Sequence, residues 1–128
     1  MKHIFMALLL LLPCAQLLAQ KKKPVTTTAK PTAKELAGIR AANIKKAAAI
    51  QFQYFVIKAD SGSFGYRIYA DGELYIQQTT IPSVAGAKGF PDTGRAAQTA
   101  QLVIRKIKQG EMPPTVTTKE LKQLNIIQ

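Results

Sequence analysis

The sequence predicts a small α+β fold: a three-stranded antiparallel sheet packed against one long C-terminal helix, with a weaker N-terminal helix and a short terminal helix. Three observations carry this expectation. Beyond residue 19, all eight aromatic residues lie between Phe52 and Phe90, which locates the ordered core. Asp71-Gly72 stands between two alternating runs and marks a two-residue hairpin turn that needs positive φ. After Pro91, the residues Ala96, Ala97, Ala100, Val103, Ile104 and Ile107 fall on an arc about 120° wide, the stripe of a core-facing helix.

Taken in order, the chain opens MKHIFMALLLLLPCAQLLAQ: a Lys, an apolar run from Ile4 to Leu12, and a small residue before a polar one. That order predicts a secretory signal peptide over residues 1–19, cleaved after Ala19. Pro13 and Gln16 interrupt the apolar stretch, which disfavours a membrane span, since a span needs about 20 continuous apolar residues. Cys14 raises the alternative of a lipid-attachment site. Pro13 directly before it is a poor fit to the small residue that route prefers, and Leu17-Leu18 continue beyond it.

Residues 20–50 read as a basic tether. QKKKPVTTTAKPT (20–32) carries Lys21, Lys22, Lys23 and Lys30 with two Pro and no aromatic residue, and cannot bury enough apolar surface to offset the entropy of ordering. From Ala33 to Ile50 a helix is expected, opened by the Thr32…Glu35 capping-box pattern. Leu36, Ile39, Ala47 and Ile50 cluster on its wheel, but Arg40, Asn43 and Lys46 fall among them. No clean apolar face results, which argues against a membrane-surface helix.

The domain proper is expected over 51–128. QFQYFVIK (51–58) alternates and is dense in strand formers. After Asp60-Ser61-Gly62, the hairpin FGYRIYADGELYIQQ sets Tyr69 opposite Leu74 and Arg67 opposite Ile76 on one face. Ile68 opposite Tyr75 and Tyr66 opposite Gln77 form the other. TTIPSVAGAKGFP (79–91) is an irregular connection. The strong helix follows, capped by Asp92 or Thr93 and stopped by Gly110, with Arg105 and Gln101 on its far side. Thr117…Glu120 opens a short last helix through Leu121 and Leu124.

GYRIYADGELYIQQTTIPSVAGAKGF, then an Ala-rich helix ending IRKIKQG, then MPPTVTTKEL, resembles the bacterial secreted family known as domain of unknown function 4907. The resemblance covers about residues 64–124 and rests on GY, DG, IP, KGF and MPPTVT in that order. It implies a small exported protein with one domain and no established activity. It also implies a departure, because the slot of Gln77 is one where relatives are expected to carry His.

Chemistry is bounded by what is missing. Beyond residue 19 there is no His and no Cys, which excludes Ser-His and Cys-His nucleophiles and thiolate or imidazole zinc sites. No cofactor or metal is expected. The carboxylates Asp60, Asp71, Glu73, Asp92, Glu111 and Glu120 all sit at turns or helix starts. Ser83 with Lys88 could be imagined as a Ser-Lys dyad, without a recognisable elbow. The most suggestive segment is Gly86-Ala87-Lys88-Gly89-Phe90 leading into the strong helix, with Arg95 in its first turn. Glycines there would let backbone N–H groups approach an anion, whereas the plainer role is a tight turn with Phe90 plugging the core. Asp92 would repel such an anion.

Of the excess positive charge, residues 20–50 hold eight basic and one acidic side chain, and residues 51–128 hold nine and six. The chain therefore reads as a mildly basic fold with a basic arm. Its element order matches double-stranded RNA-binding domains. However, only Lys88 and Arg95 stand where those domains cluster Lys, so nucleic acid is disfavoured as a partner. The expected function is a non-enzymatic, exported cell-envelope domain, periplasmic or secreted. It would bind an envelope protein through its sheet or glycine-rich loop, with Lys21, Lys22, Lys23 and Lys30 attracting anionic lipid or polysaccharide. Two alternatives stand beside it: a small hydrolase or transferase using Ser83, Lys88 or carboxylates, and polyanion or nucleic-acid binding through the arm.

Overall fold

The computed structural model describes residues 30–128. The expected signal segment with Cys14, and the arm residues Lys21, Lys22 and Lys23, lie outside the described residues. Lys30 is exposed. The elements run α1 (Ala33–Ala48), β1 (Phe52–Lys58), a 3-10 turn (Asp60–Gly62), β2 (Phe64–Ala70), β3 (Glu73–Gln78), α2 (Thr93–Lys108) and α3 (Thr118–Gln123). The strands form one antiparallel sheet in the order β1-β2-β3. This is the expected α+β architecture, with α2 packed on β1 and β2. Among the described residues, no helix is long and apolar enough to cross a membrane.

The hairpin forms where Asp71-Gly72 places it. Both residues take positive φ, 51° and 85°, so the turn twists with the strands it joins. Asp71 also ties the turn to the start of β1: its N–H donates to the Gln51 carbonyl, and its carboxylate accepts from the Gln51 N–H, each at 2.9 Å.

The register beyond the turn differs from the simple alternation. Tyr69 does lie opposite Leu74, but a bulge between Ile68 and Tyr69 then sets Ile68 against Ile76, Arg67 against Gln77 and Tyr66 against Gln78. The pairings Arg67–Ile76, Ile68–Tyr75 and Tyr66–Gln77 are therefore corrected. Plain alternation would have turned Ile76 outward with Arg67. One extra residue in β3 brings Ile76 back to the side of Ile68, where it packs against the core.

The core lies between sheet and helices. Tyr66 and Ile68 of β2 meet Ala96, Ala100, Val103 and Ile107 of α2, with Phe90, Val116, Leu121 and Ile126 closing the sides. Phe90, Ile68 and Leu121 are fully buried, each worth about 1.5–3 kcal/mol of transfer free energy. Burial also pushes the Tyr66 hydroxyl up to about 12. Among the described residues, no helix lies over the other face of the sheet. Phe55 and Leu74 remain about half exposed there, and the Phe55 ring meets Tyr69 edge-on at 5.5 Å between centroids.

α1 opens on its capping box, with the Glu35 carboxylate accepting from the Thr32 N–H at 2.7 Å. That bond, and after it the Thr32 hydroxyl, hold the carboxyl below its ordinary range. The helix reaches the body only through its second half. Residues 33–42 are exposed, Asn43 is half-buried, and Ala47 is the buried residue of this helix. Arg40 and Asn43 donate to the carbonyls of Gln109 and Gly110, at 2.9 Å and 3.3 Å.

Candidate functional site

The glycine-rich connection was the sequence-based candidate, and each of its glycines has a backbone task. Gly86 takes φ 95°, a left-handed conformation, with open space around it. Gly89 lies so close to Ser63 and the Phe64 carbonyl that a Cβ would collide with the Ser63 hydroxyl. This close approach lets Phe64 and Phe90 exchange two backbone hydrogen bonds of 2.8 Å. The Lys88 carbonyl accepts from the Ile81 N–H at 2.9 Å, closing the loop.

The side chains do not converge. Lys88 and Gly89 line an open hollow with Asp60, Ser61, Ser63 and Ala87; Gly86 and Arg95 are not part of that lining. Arg95 turns to its own helix start and to the C-terminal segment, donating to the Asp92 carboxylate and the Asn125 carbonyl at 3.1 Å each. The α2 N-terminus is occupied from within, because the Asp92 carboxylate also accepts from the Arg95 N–H at 2.8 Å. Ser83, at φ 58°, donates its hydroxyl to the Val116 carbonyl, and Thr118 donates to the Ser83 carbonyl at 3.4 Å. These bonds fasten the connection to Val116 and to the first residue of α3.

Sequence reasoning missed the best-organised charges. Lys106 is 8% exposed on the inner flank of α2, between Glu111 at 2.9 Å and Glu120. Loss of hydration pulls the ammonium down, but the hydrogen bonds and charges of Glu120 and Glu111 outweigh it, and its pKa ends above that of ordinary lysine. The Lys106 ammonium, followed by the Thr117 N–H, lowers Glu120 to about 2. Glu120 thus holds the α3 capping box and the lysine of α2 at once. The signal in the sequence was slight: Lys106 falls about 60° outside the apolar arc, next to Thr99, with no acidic residue inside its own helix to pair it.

Among the described residues, two apolar surfaces remain uncovered. One is the open sheet face with Phe55, Tyr69 and Leu74, where Arg67 donates to Gln77 at 2.7 Å. The other is a groove between α1 and the Gly110–Thr115 loop, with Leu36 and Ile39 facing Met112 and Pro113. It continues past Asn43 to Ile50, Phe52 and Tyr75. Among the described residues, no group of three or more His, Cys, Asp or Glu side chains could hold a metal ion.

The model of one family, described as a domain of unknown function (DUF4907), matches residues 55–123. The match begins in β1 and ends in α3, so it takes in the sheet, α2 and the Lys106 cluster and leaves α1 outside. No curated protein and no solved structure matches the chain.

Proposed function

The chain belongs to the DUF4907 family, and from that footing we propose that it is an exported cell-envelope domain that binds rather than catalyses. The observation that carries this reading is the division of the sheet into two unlike faces. One is filled by α2. The other presents Phe55, Tyr69 and Leu74 beside the Arg67–Gln77 pair, an amphipathic platform with aromatic anchors and a polar margin. Several polar groups that could serve a reaction have structural work instead: Ser83 on Val116, Asp92 on the α2 start, and Glu111 and Glu120 on Lys106. The apolar leader supports export, and the basic residues that follow it support loose, salt-screened attraction to anionic lipid or polysaccharide.

The test begins in cells. The protein should fractionate with the envelope, with Gln20 as its first residue. A photo-crosslinking side chain at Leu74 should trap one dominant envelope adduct, while the same group at Gln98 on the exposed side of α2 should not. Recovery in the cytosol with Met1 intact would overturn the export half. Equal, diffuse labelling from positions 74 and 98 would overturn the binding half.

A further inference from the structure

The two edges of the sheet are protected to different degrees. β3 begins with Glu73 and is broken by the bulge beside Tyr69, two devices that discourage pairing with another chain. β1 has neither. From Phe52 to Ile57 it carries no charge, proline or glycine, and its register with β2 is unbroken over seven residues.

Hydrogen bonding shows which groups the β1 edge presents. Phe64 spends its N–H and carbonyl on Phe90, on the side of β2 away from β1, while Asp71 bonds back to Gln51. Alternation along an antiparallel pair then directs Gln53, Phe55 and Ile57 toward β2. Phe52, Tyr54, Val56 and Lys58 aim their N–H and carbonyl groups outward, and no described backbone group outside the sheet bonds to them. The side chains of Phe52, Tyr54 and Val56 lie on the core side but stay only half-buried, and Lys58 is exposed, whereas Tyr66 and Ile68 of β2 are 2% and 0% exposed.

We propose that β1 is a self-pairing edge, and that two copies of this chain join antiparallel along it about a two-fold axis at Phe55. Phe55 is the midpoint of Phe52–Lys58, so this register overlaps the whole strand. It sets Tyr54 against Val56 of the second copy and Phe52 against its Lys58, so that the outward-pointing groups meet each other. The two Phe55 residues become a non-hydrogen-bonded pair, with Cα atoms about 4.5 Å apart and both rings on the open face.

The helical layer accommodates this arrangement. The axis lies about 2.4 Å beyond β1, and a helix resting on both β1 and β2 lies about 2.4 Å inside it, which sets the two α2 axes about 10 Å apart, near the spacing of packed helices. The flank brought together carries Gln101, which donates to the Tyr54 hydroxyl at 2.8 Å, with Ala97 and Ile104 along the same stripe. α1 is tied at Gln109 and Gly110, beyond the end of α2. The occupant is a second copy because the uncharged stretch from Phe52 to Ile57 complements itself, Lys58 falling only at the two outer ends of the register, and this register also covers the exposed Phe55. The inference stands on β1 alone and does not require the envelope-binding reading.

The chain carries a net charge of +11, so two copies repel at long range and salt should strengthen the pair. Binding to a polyanion would respond in the opposite direction. Sedimentation of the protein, purified in the form its cells carry, should show a monomer–dimer equilibrium at ~10–100 μM that shifts toward dimer with salt. Phe55→Lys places two ammonium groups side by side at the axis and should weaken association at least about tenfold. Val56→Pro removes an N–H that points outward, leaves the bonds to β2 in place, and should give monomer. Leu74→Lys, on the β3 side of the same face, should associate like the parent. With Cys14 replaced by Ser, Phe55→Cys should oxidise to a covalent dimer and Leu74→Cys should not. A parent that stays monomeric throughout this range, or dimers unaffected by both β1 variants, would overturn the proposal.

Discussion

α1 and α2 are both sixteen residues long and both carry basic residues in the last turn, yet they are held in opposite ways. α2 buries Ala96, Thr99, Ala100, Val103, Lys106 and Ile107 along one side, while α1 buries Ala47. A helix of this length is marginal in water on its own propensity, so each depends on what it rests against. α2 rests on the sheet and is inseparable from the core. α1 rests on the place where α2 stops. Gly110 takes φ 80°, the C-terminal stop for α2, and its missing Cβ leaves room for the Arg40 carbonyl. One glycine therefore ends α2 and seats α1.

The sharpest way to break this contrast is to damage α2 from its apolar side. Ile107 is 3% exposed, and Ile107→Ala should cost about 2–5 kcal/mol, seen as a lower denaturation midpoint for sheet and helices together. Loss of α2 with the sheet still folded would refute the claim that they form one unit. Acid should probe its second support. Glu120 has a folded value of about 2 against an ordinary 4.5, so the unfolded chain binds the extra proton between them. The stabilisation is complete above about pH 5, and it is lost as pH falls toward 2. At most about 3 kcal/mol is involved, and Glu120→Gln should flatten the decline. An unchanged acid profile in that variant would remove Glu120 as the titrating group.

Gly110→Ala sharpens the contrast by acting on the shared position. An L residue is strained at φ 80°, and the new Cβ would stand 2.5 Å from the Arg40 carbonyl oxygen. The expected loss is about 1–3 kcal/mol, with α1 freed more than α2. Hydrogen exchange should show faster exchange across Ala33–Ala48 and near-parental protection in β2. Equal loss in both regions would mean that α1 is not a separable element.

Legibility followed the same division. α2, the Asp71-Gly72 turn and both capping boxes were readable because each rests on local chemistry: a periodic stripe, a positive-φ pair, a hydroxyl three residues before a carboxylate. The bulge was not, because alternation assigns faces only until an extra residue resets it, and that residue is selected by the core that Ile76 must reach. Lys106 was hardly legible, because it stands outside the apolar arc, where a solvated lysine is the ordinary reading. Glu111 and Glu120 were visible only as turn and cap residues, because their second role depends on how the chain folds back across α2. Arg95 misled for the same reason: its position beside the glycine-rich loop was right in sequence, but its guanidinium is engaged by Asp92 and Asn125. The docking of α1 left almost no trace, since two of its ties run from side chains to main-chain carbonyls, which any sequence supplies.

Those ties set the smallest and most selective of these effects. Asn43 sits half-buried on α1, and its amide donates to the Gly110 carbonyl at 3.3 Å. Asn43→Ala removes that bond, worth about 1 kcal/mol, and returns about 0.5 kcal/mol through the better helix propensity of Ala. The global midpoint should therefore barely move, by well under about 1 kcal/mol. Docking should suffer more than helix formation, because the gain in propensity stabilises α1 whether or not it is seated. Backbone amide shifts of Gly110 and Glu111 should move while those of Val103 and Ile68 stay in place, and α1 should lose protection without losing helical signal. If α1 keeps its full protection, its anchorage lies with Ala47 and Arg40, and the polar account of its docking narrows to the Arg40–Gln109 contact.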